Sequence, residues 1–151
     1  MTVEAKITIN RNKEAVWTAI TNIRNAAEFL SGVERIEILD EPLTSLVGLK
    51  WRETRMYFGK PASIDKCITE ALEYKFYKTR SEMDGFIFLT ITTISENENQ
   101  TLVTSMHETL AKSLLAKIKS LPMVFFKGIL KKAILQDLTD IKNALEPLTV
   151  K

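Results

Sequence analysis

MVFFKGILKKAILQDLTDIKNALEPL, residues 123–148, carries the longest helical pattern in the chain. Within it Met123, Phe126, Leu130, Ile134, Leu138, Ile141, Leu145 and Leu148 recur at steps of three and four, which puts all eight on one side of a single helix. Ser120 and Pro122 mark its start, because proline in a first turn loses no hydrogen bond. Glu146-Pro147 marks its end. At about 1.5 Å per residue, a helix of about 25 residues is about 38 Å long, enough to cross a whole sheet. Val124, Phe125 and Ile129 widen the apolar stripe in its first half.

The preceding sequence supplies a sheet for this helix to cover. Val3 to Ile9 alternates Val3, Ala5, Ile7 and Ile9 with Glu4, Lys6 and Thr8, the period of a strand with one buried face. Asn10 or Asn12 then offers an N-cap, with Glu14 in the first turn, and Val16, Trp17, Ile20 and Ile23 give a short helix its apolar stripe. A second short helix, Asn25 to Leu30, is expected to stop at Gly32 in a left-handed conformation. Past Gly32 the period changes to two. Strands are expected at Val33 to Asp40, Leu49 to Phe58, Ala62 to Leu72, Lys75 to Met83, Phe86 to Ser95 and Thr101 to Leu110. Gly59-Lys60-Pro61, Asp84-Gly85 and Glu96 to Gln100 are turn chemistry between them, Asp84-Gly85 most strongly, since a type I′ hairpin needs positive φ at both central residues. Short connections join antiparallel neighbours, so these six strands form a meander with the first strand added at an edge. The result is an α+β domain covering residues 1–151, a seven-stranded antiparallel sheet under one long helix.

Composition fits that reading. Hydrophobic residues are 45% and charged residues 26% of 151, the mixture of a folded globular protein. Cys67 is the single cysteine and cannot form an internal disulfide. The charged N-terminal segment does not read as a signal peptide, and no apolar run approaches the roughly 20 residues of a membrane span, so the cytoplasm is the expected location. The net charge of +2 is too small to argue for nucleic acid, yet from Ala111 onward eight lysines face three acidic residues. A basic amphipathic helix can rest on an anionic membrane surface. The plainer reading outweighs it: Lys127, Lys131, Lys132 and Lys142 form the solvated back of a core helix.

The order of strand, two short helices, six-stranded meander and long terminal helix resembles that of the START-like or SRPBCC superfamily, which includes polyketide cyclase/dehydrase-like and birch-pollen-allergen-like proteins. Three stretches carry the likeness: Glu14 to Ile20 followed by Phe29; Val33 to Leu39 leading into Gly48 to Arg55; and Leu138 to Glu146. The resemblance implies a helix-grip fold, a curved sheet wrapped around the last helix with an apolar cavity between them. Members of that superfamily hold lipids, sterols, polyketides or aromatic compounds there, and a minority do chemistry. They share no universal catalytic residue, so none is carried over.

Leu49, Trp51, Glu53, Arg55 and Tyr57 share one face of the third strand. If that face is internal, Glu53 and Arg55 are buried charges that need partners. The opposite face, Lys50, Arg52, Thr54, Met56 and Phe58, is equally mixed, so the pattern leaves the parity open, with preference for the internal reading. His107, the only histidine, shares a face with Val103, Ser105 and Thr109; it has the side chain to act as a base, although a structural role is commoner. Cys67 is expected to be a small buried hydrophobe. Phe76, Tyr77, Met83, Phe86, Phe88, Met106, Phe125 and Phe126 are candidates for an aromatic-rich pocket wall. No glycine-rich phosphate loop, serine elbow or zinc ligand set is present.

The expected function is therefore binding or transport of a hydrophobic or amphipathic small molecule between sheet and helix, by a monomer or homodimer, with no cofactor and no metal. The expected ligand contacts are Trp51, Glu53, Arg55, Tyr77, Phe88, His107, Phe125 and Ile129, with Arg55 meeting a carboxylate or phenolate and entry at the first half of the helix. The alternative is a cyclase or lyase in which Arg55 polarises a carbonyl and Glu53 or His107 moves a proton.

Overall fold

The computed structural model describes residues 1–57, 59–113 and 127–146. Seven strands, β1 (Thr2–Ile9), β2 (Val33–Asp40), β3 (Lys50–Tyr57), β4 (Lys60–Leu72), β5 (Phe76–Met83), β6 (Phe86–Asn97) and β7 (Gln100–Ala111), form one antiparallel sheet in the order β1-β7-β6-β5-β4-β3-β2. The chain thus winds as a meander from β2 to β7 and sets β1 at the edge beside β7, as the short connections require. Register shifts between Val33 and Arg35, Ile38 and Asp40, and Ile68 and Glu70 bend the strands and help curve the sheet.

Between β1 and β2 lie α1 (Lys13–Ile20), a 3₁₀ turn (Ile23–Asn25) and α2 (Ala26–Phe29). Asn12 caps α1, its side-chain oxygen accepting from the Ala15 N–H at 2.9 Å. Gly32 does not end α2 in the expected left-handed conformation; positive φ occurs at Gly48, Gly59 and Gly85 instead. What Gly32 supplies is room, because a Cβ there would stand 2.8 Å from Arg55 Nη1.

The β6–β7 hairpin and the start of β4 are tighter than expected, while the Asp84-Gly85 hairpin is as expected. Asp84 (φ 53°) and Gly85 (φ 82°) make the two-residue turn. The β6–β7 turn, however, is Glu98-Asn99 alone, with φ of 51° and 65°; Asn97 and Gln100 already pair across it. Lys60 and Pro61 likewise belong to β4, opposite Tyr57 and Met56. Polar residues at strand ends look like loop in a sequence but still complete the ladder.

The last helix, α3, covers Lys127–Leu145 among the described residues. Its Ile134, Leu138 and Ile141 are buried against β1 and α1, in a core with Val3, Ala5, Ile9, Val16, Trp17, Ile20, Ile94 and Val103. Arg11 donates to the Leu145 carbonyl (3.0 Å) and Lys142 to the Thr8 carbonyl (2.7 Å), fixing the helix end over β1. The expected helix start at Ser120 and Pro122, the apolar residues Met123, Val124, Phe125, Phe126 and Leu148, the stop at Pro147, and Phe58 lie outside the described residues. Lys127, Lys131 and Lys132 are exposed. No helix among the described residues is long and apolar enough to cross a membrane.

Candidate functional site

The parity of β3 is resolved inward: Leu49 and Trp51 are buried, Glu53 is 6% exposed, and only Tyr57 at the strand end turns to the rim, 50% exposed. Strand register extends the inner face sideways. His107 faces Thr90, which faces Thr79, which faces Ile68; one step along, Ser105 faces Thr92, which faces Tyr77. Thr79, Thr92 and Ser105 are buried. A band of hydroxyls therefore crosses β5, β6 and β7 where a plain core would be aliphatic.

Above this band lies a cavity of about 120 Å³, open on one side and lined by Ala19 and Ile20 of α1, Ala26 and Phe29 of α2, and Ile134, Asp137, Leu138 and Ile141 of α3. Among the described residues its aromatic groups are Phe29, Trp51 and Tyr77; of the expected wall Tyr77 lines it, and Phe76, Met83, Phe86, Phe88 and Met106 do not. Of the expected contacts, Trp51, Glu53, Arg55, Tyr77 and His107 all line it. Phe88 does not; it sits half-buried beyond the cavity, 6.4 Å from buried Phe86. Ile129 does not either, being 55% exposed on the far side of α3. Phe125, and with it the expected entry at the first half of the helix, falls outside the described residues. A wider concavity of about 260 Å³ lies between the 3₁₀ turn and the 41–49 connection. Its Arg24–Glu41 ion pair is solvent-exposed, so the concentration of buried polar groups marks the smaller cavity as the site.

Two cations and two carboxylates close on one another at its edge. Arg55 donates from Nε to Glu53 (2.8 Å) and from Nη1 and Nη2 to the two oxygens of Asp137 (3.1 and 2.7 Å). Lys66 Nζ donates to the same Glu53 oxygen at 2.8 Å. Burial alone would raise the Glu53 carboxyl, but Lys66 and Arg55 outweigh it and hold the group at about 2. Burial also opposes the Arg55 charge, and Asp137 and Glu53 more than restore it, raising its pKa. All three guanidinium nitrogens thus serve carboxylates of the protein. A ligand carboxylate or phenolate meeting Arg55, the role expected from the sequence, would have to displace one of them.

His107 sits at the other end of the cavity. Its Nε2 is 2.9 Å from Ser105 Oγ and its Nδ1 3.3 Å from Thr90 Oγ1. Desolvation, then Lys66 and Arg55, push the imidazole down to about 4, with Glu53 opposing, so it is neutral at pH 7. Neutral imidazole offers one donor and one acceptor to the hydroxyls around it. The Tyr77 hydroxyl, whose pKa burial raises to about 12, donates to the Ile20 carbonyl (3.1 Å) and ties the sheet to α1.

Cys67 is not the buried hydrophobe expected of it: it faces outward opposite Lys50 and Arg80, half-buried, with Sγ 3.6 Å from the Ile68 carbonyl. Among the described residues no group of three or more His, Cys, Asp or Glu side chains is placed to hold a metal ion. Reading the sequence missed Asp137 and Lys66. Asp137 had a signal, three residues after Ile134 and four before Ile141, which puts a carboxylate within the apolar stripe.

No family model matches the chain, and no curated protein matches it in sequence. Solved structures do match in fold. A START superfamily protein from Mycobacterium smegmatis is 12% identical with a TM-score of 0.80, covering 98% of this chain and 99% of its own. The Zhui aromatase/cyclase from Streptomyces sp. R1128 is 14% identical with a TM-score of 0.79, covering 97% and 93%. Ara h 8.0201 is 13% identical with a TM-score of 0.71, covering 96% and 97%. Together with the seven-stranded sheet and terminal helix, these matches show that the chain shares the fold of those proteins, a helix-grip fold.

Proposed function

We propose that this protein binds an amphipathic small molecule in the cavity between the sheet and α3. The observation that carries the reading is the hydroxyl band: Thr79, Thr90, Thr92 and Ser105, with neutral His107, line one wall of a cavity whose other walls are Phe29, Trp51, Ile134 and Leu138. A concave apolar surface with a few converging polar groups is the usual form of a small-molecule site. The ligand's apolar body lies against α2 and α3, and its polar edge meets the strands. Two of the proteins sharing the fold, by name a START superfamily protein and an aromatase/cyclase, agree with a role in holding such molecules.

The protonation states favour binding over the cyclase alternative. Glu53 stays ionised between two cations and His107 stays neutral far below pH 7, so neither is poised to exchange a proton near neutrality. Denaturing mass spectrometry of freshly purified protein, with melting measured across lipids, phenols and polyketide-like rings, tests the reading. The expected result is a co-purifying compound, or a saturable rise in melting temperature that Thr90→Phe abolishes by filling the cavity. No extracted compound and no rise with any of them would reject it.

A further inference from the structure

Resting on that reading, we infer that the cavity selects an uncharged, one-ring molecule with a hydrogen-bonding edge, and rejects carboxylates, cations and long-chain lipids. Three observations lead there. First, the charges at the site are spent on one another: Arg55 binds Glu53 and both oxygens of Asp137, and Lys66 binds Glu53. Two cations against two carboxylates leave no net charge to attract an ion. A ligand carboxylate would have to evict Asp137 or Glu53 from Arg55, and a ligand cation would have to evict Arg55 or Lys66 from a carboxylate. Either exchange strands a desolvated charge of the protein.

Second, the groups that remain are neutral and able both to donate and to accept. Thr90 and Ser105 flank the two nitrogens of His107, and Thr92 and Thr79 continue the row. A hydroxyl, carbonyl or amide can join this row without breaking it. Third, the space is small. The cavity measures about 120 Å³, while an engineered apolar cavity of about 150 Å³ holds a single benzene. The cavity is open on one side, so a ring can seat there with its edge toward the opening, while most of a long acyl chain would remain outside.

Benzamide, benzoate and benzamidinium share one size and shape and differ in charge, so calorimetry of the three at pH 7 isolates the selection. Benzamide is expected to bind at least about tenfold tighter than either ion. Equal or tighter binding of an ion overturns the inference. Displacement of benzamide by oleate overturns the size limit, and binding of oleate without benzamide leaves the proposed function standing while this inference falls. Failure of every probe counts against both. Asp137→Asn gives a second arm, because it leaves two guanidinium nitrogens of Arg55 without a carboxylate. In that variant benzoate is expected to gain at least about tenfold relative to benzamide; an unchanged preference contradicts the charge argument independently of the wild-type comparison.

Discussion

Gly32 and Arg55 are matched to one another across the chain. A methyl group at Gly32 would stand 2.8 Å from Arg55 Nη1 and 3.8 Å from Asp137 Oδ1. The far end of a free arginine would swing aside, but this one is held by Glu53 and Asp137. Gly32→Ala is therefore expected to cost roughly 1–3 kcal/mol in urea unfolding. In an Asp137→Asn background, where the guanidinium can move, the added cost should shrink; equal costs in both backgrounds would remove Arg55 as the cause. His107 gives a second test. Its pKa falls from an ordinary 6.5 to about 4 on folding, so between those values the unfolded chain binds more protons and stability drops as the solution is acidified. The loss attributable to His107 is roughly 3 kcal/mol by pH 4, an upper bound. Glu53, depressed from 4.5 to about 2, adds a further loss in that lower window, as its carboxylate is neutralised between Lys66 and Arg55. His107→Gln should flatten the stability profile between pH 6.5 and 4.5 and leave the lower limb intact; the same slope in both proteins would refute the assignment. Little of this was legible in advance. Spacing placed His107 on a face with Ser105, but its Thr90 and Lys66 neighbours come from other strands, and only register brings them together.

At the scale of elements, α3 is held in two different ways. Toward β1 it buries Ile134, Leu138 and Ile141, the stripe that the steps of three and four predicted. Toward β2 and β3 it is held by carboxylates: Asp137 takes Arg55, and Asp140 accepts from both the N–H (2.8 Å) and the hydroxyl (2.7 Å) of Ser31. Removing one member of the inner pair strands the other. Asp137→Asn should thus cost about 3 kcal/mol, the low end for a buried pair because a quarter of the Asp137 side chain (25%) stays exposed. Asp140→Asn, at an exposed contact, should cost under about 1 kcal/mol. Chemical denaturation of the two variants checks the ranking, and a reversed order would mean that the outer contact, not the arginine, holds this side of the helix. Elements themselves were easier to read than their joints. The Asn12 cap, the Asp84-Gly85 hairpin and the period-two strands follow from local chemistry. The Glu98-Asn99 turn does not stand out, because Glu96, Asn97 and Gln100 are as polar as a loop although they pair in the ladder.

Across the whole molecule, the cavity separates a large core from a small one. The large core joins β1, β6, β7, α1 and α3; the small one is Leu49, Trp51 and Ile68, with Ile36 and Ile38 packed on it at the β2 edge. Apolar burial is the main source of local stability, so the two sides should open at different free energies. Amide hydrogen exchange is expected to be slowest in β1, β6 and β7, faster in β2 and β3, and fastest in the 41–49 connection, where Leu43 is fully exposed. A bound ligand adds a second distinction. Saturation at about a hundred times the dissociation constant stabilises the folded protein by about 2.7 kcal/mol, but an amide gains that protection only if the opening that exposes it also dismantles the site. Amides of β3 and α3, whose separation breaks the Arg55–Asp137 link beside the cavity, should slow on binding. Those of the 41–49 connection, which can open without touching the cavity, should not. Slowing confined to that connection would move the binding site to the wider concavity near Arg24 and Glu41, and slowest exchange at β2 and β3 would mean that the polar cluster, rather than apolar burial over β1, holds the fold together.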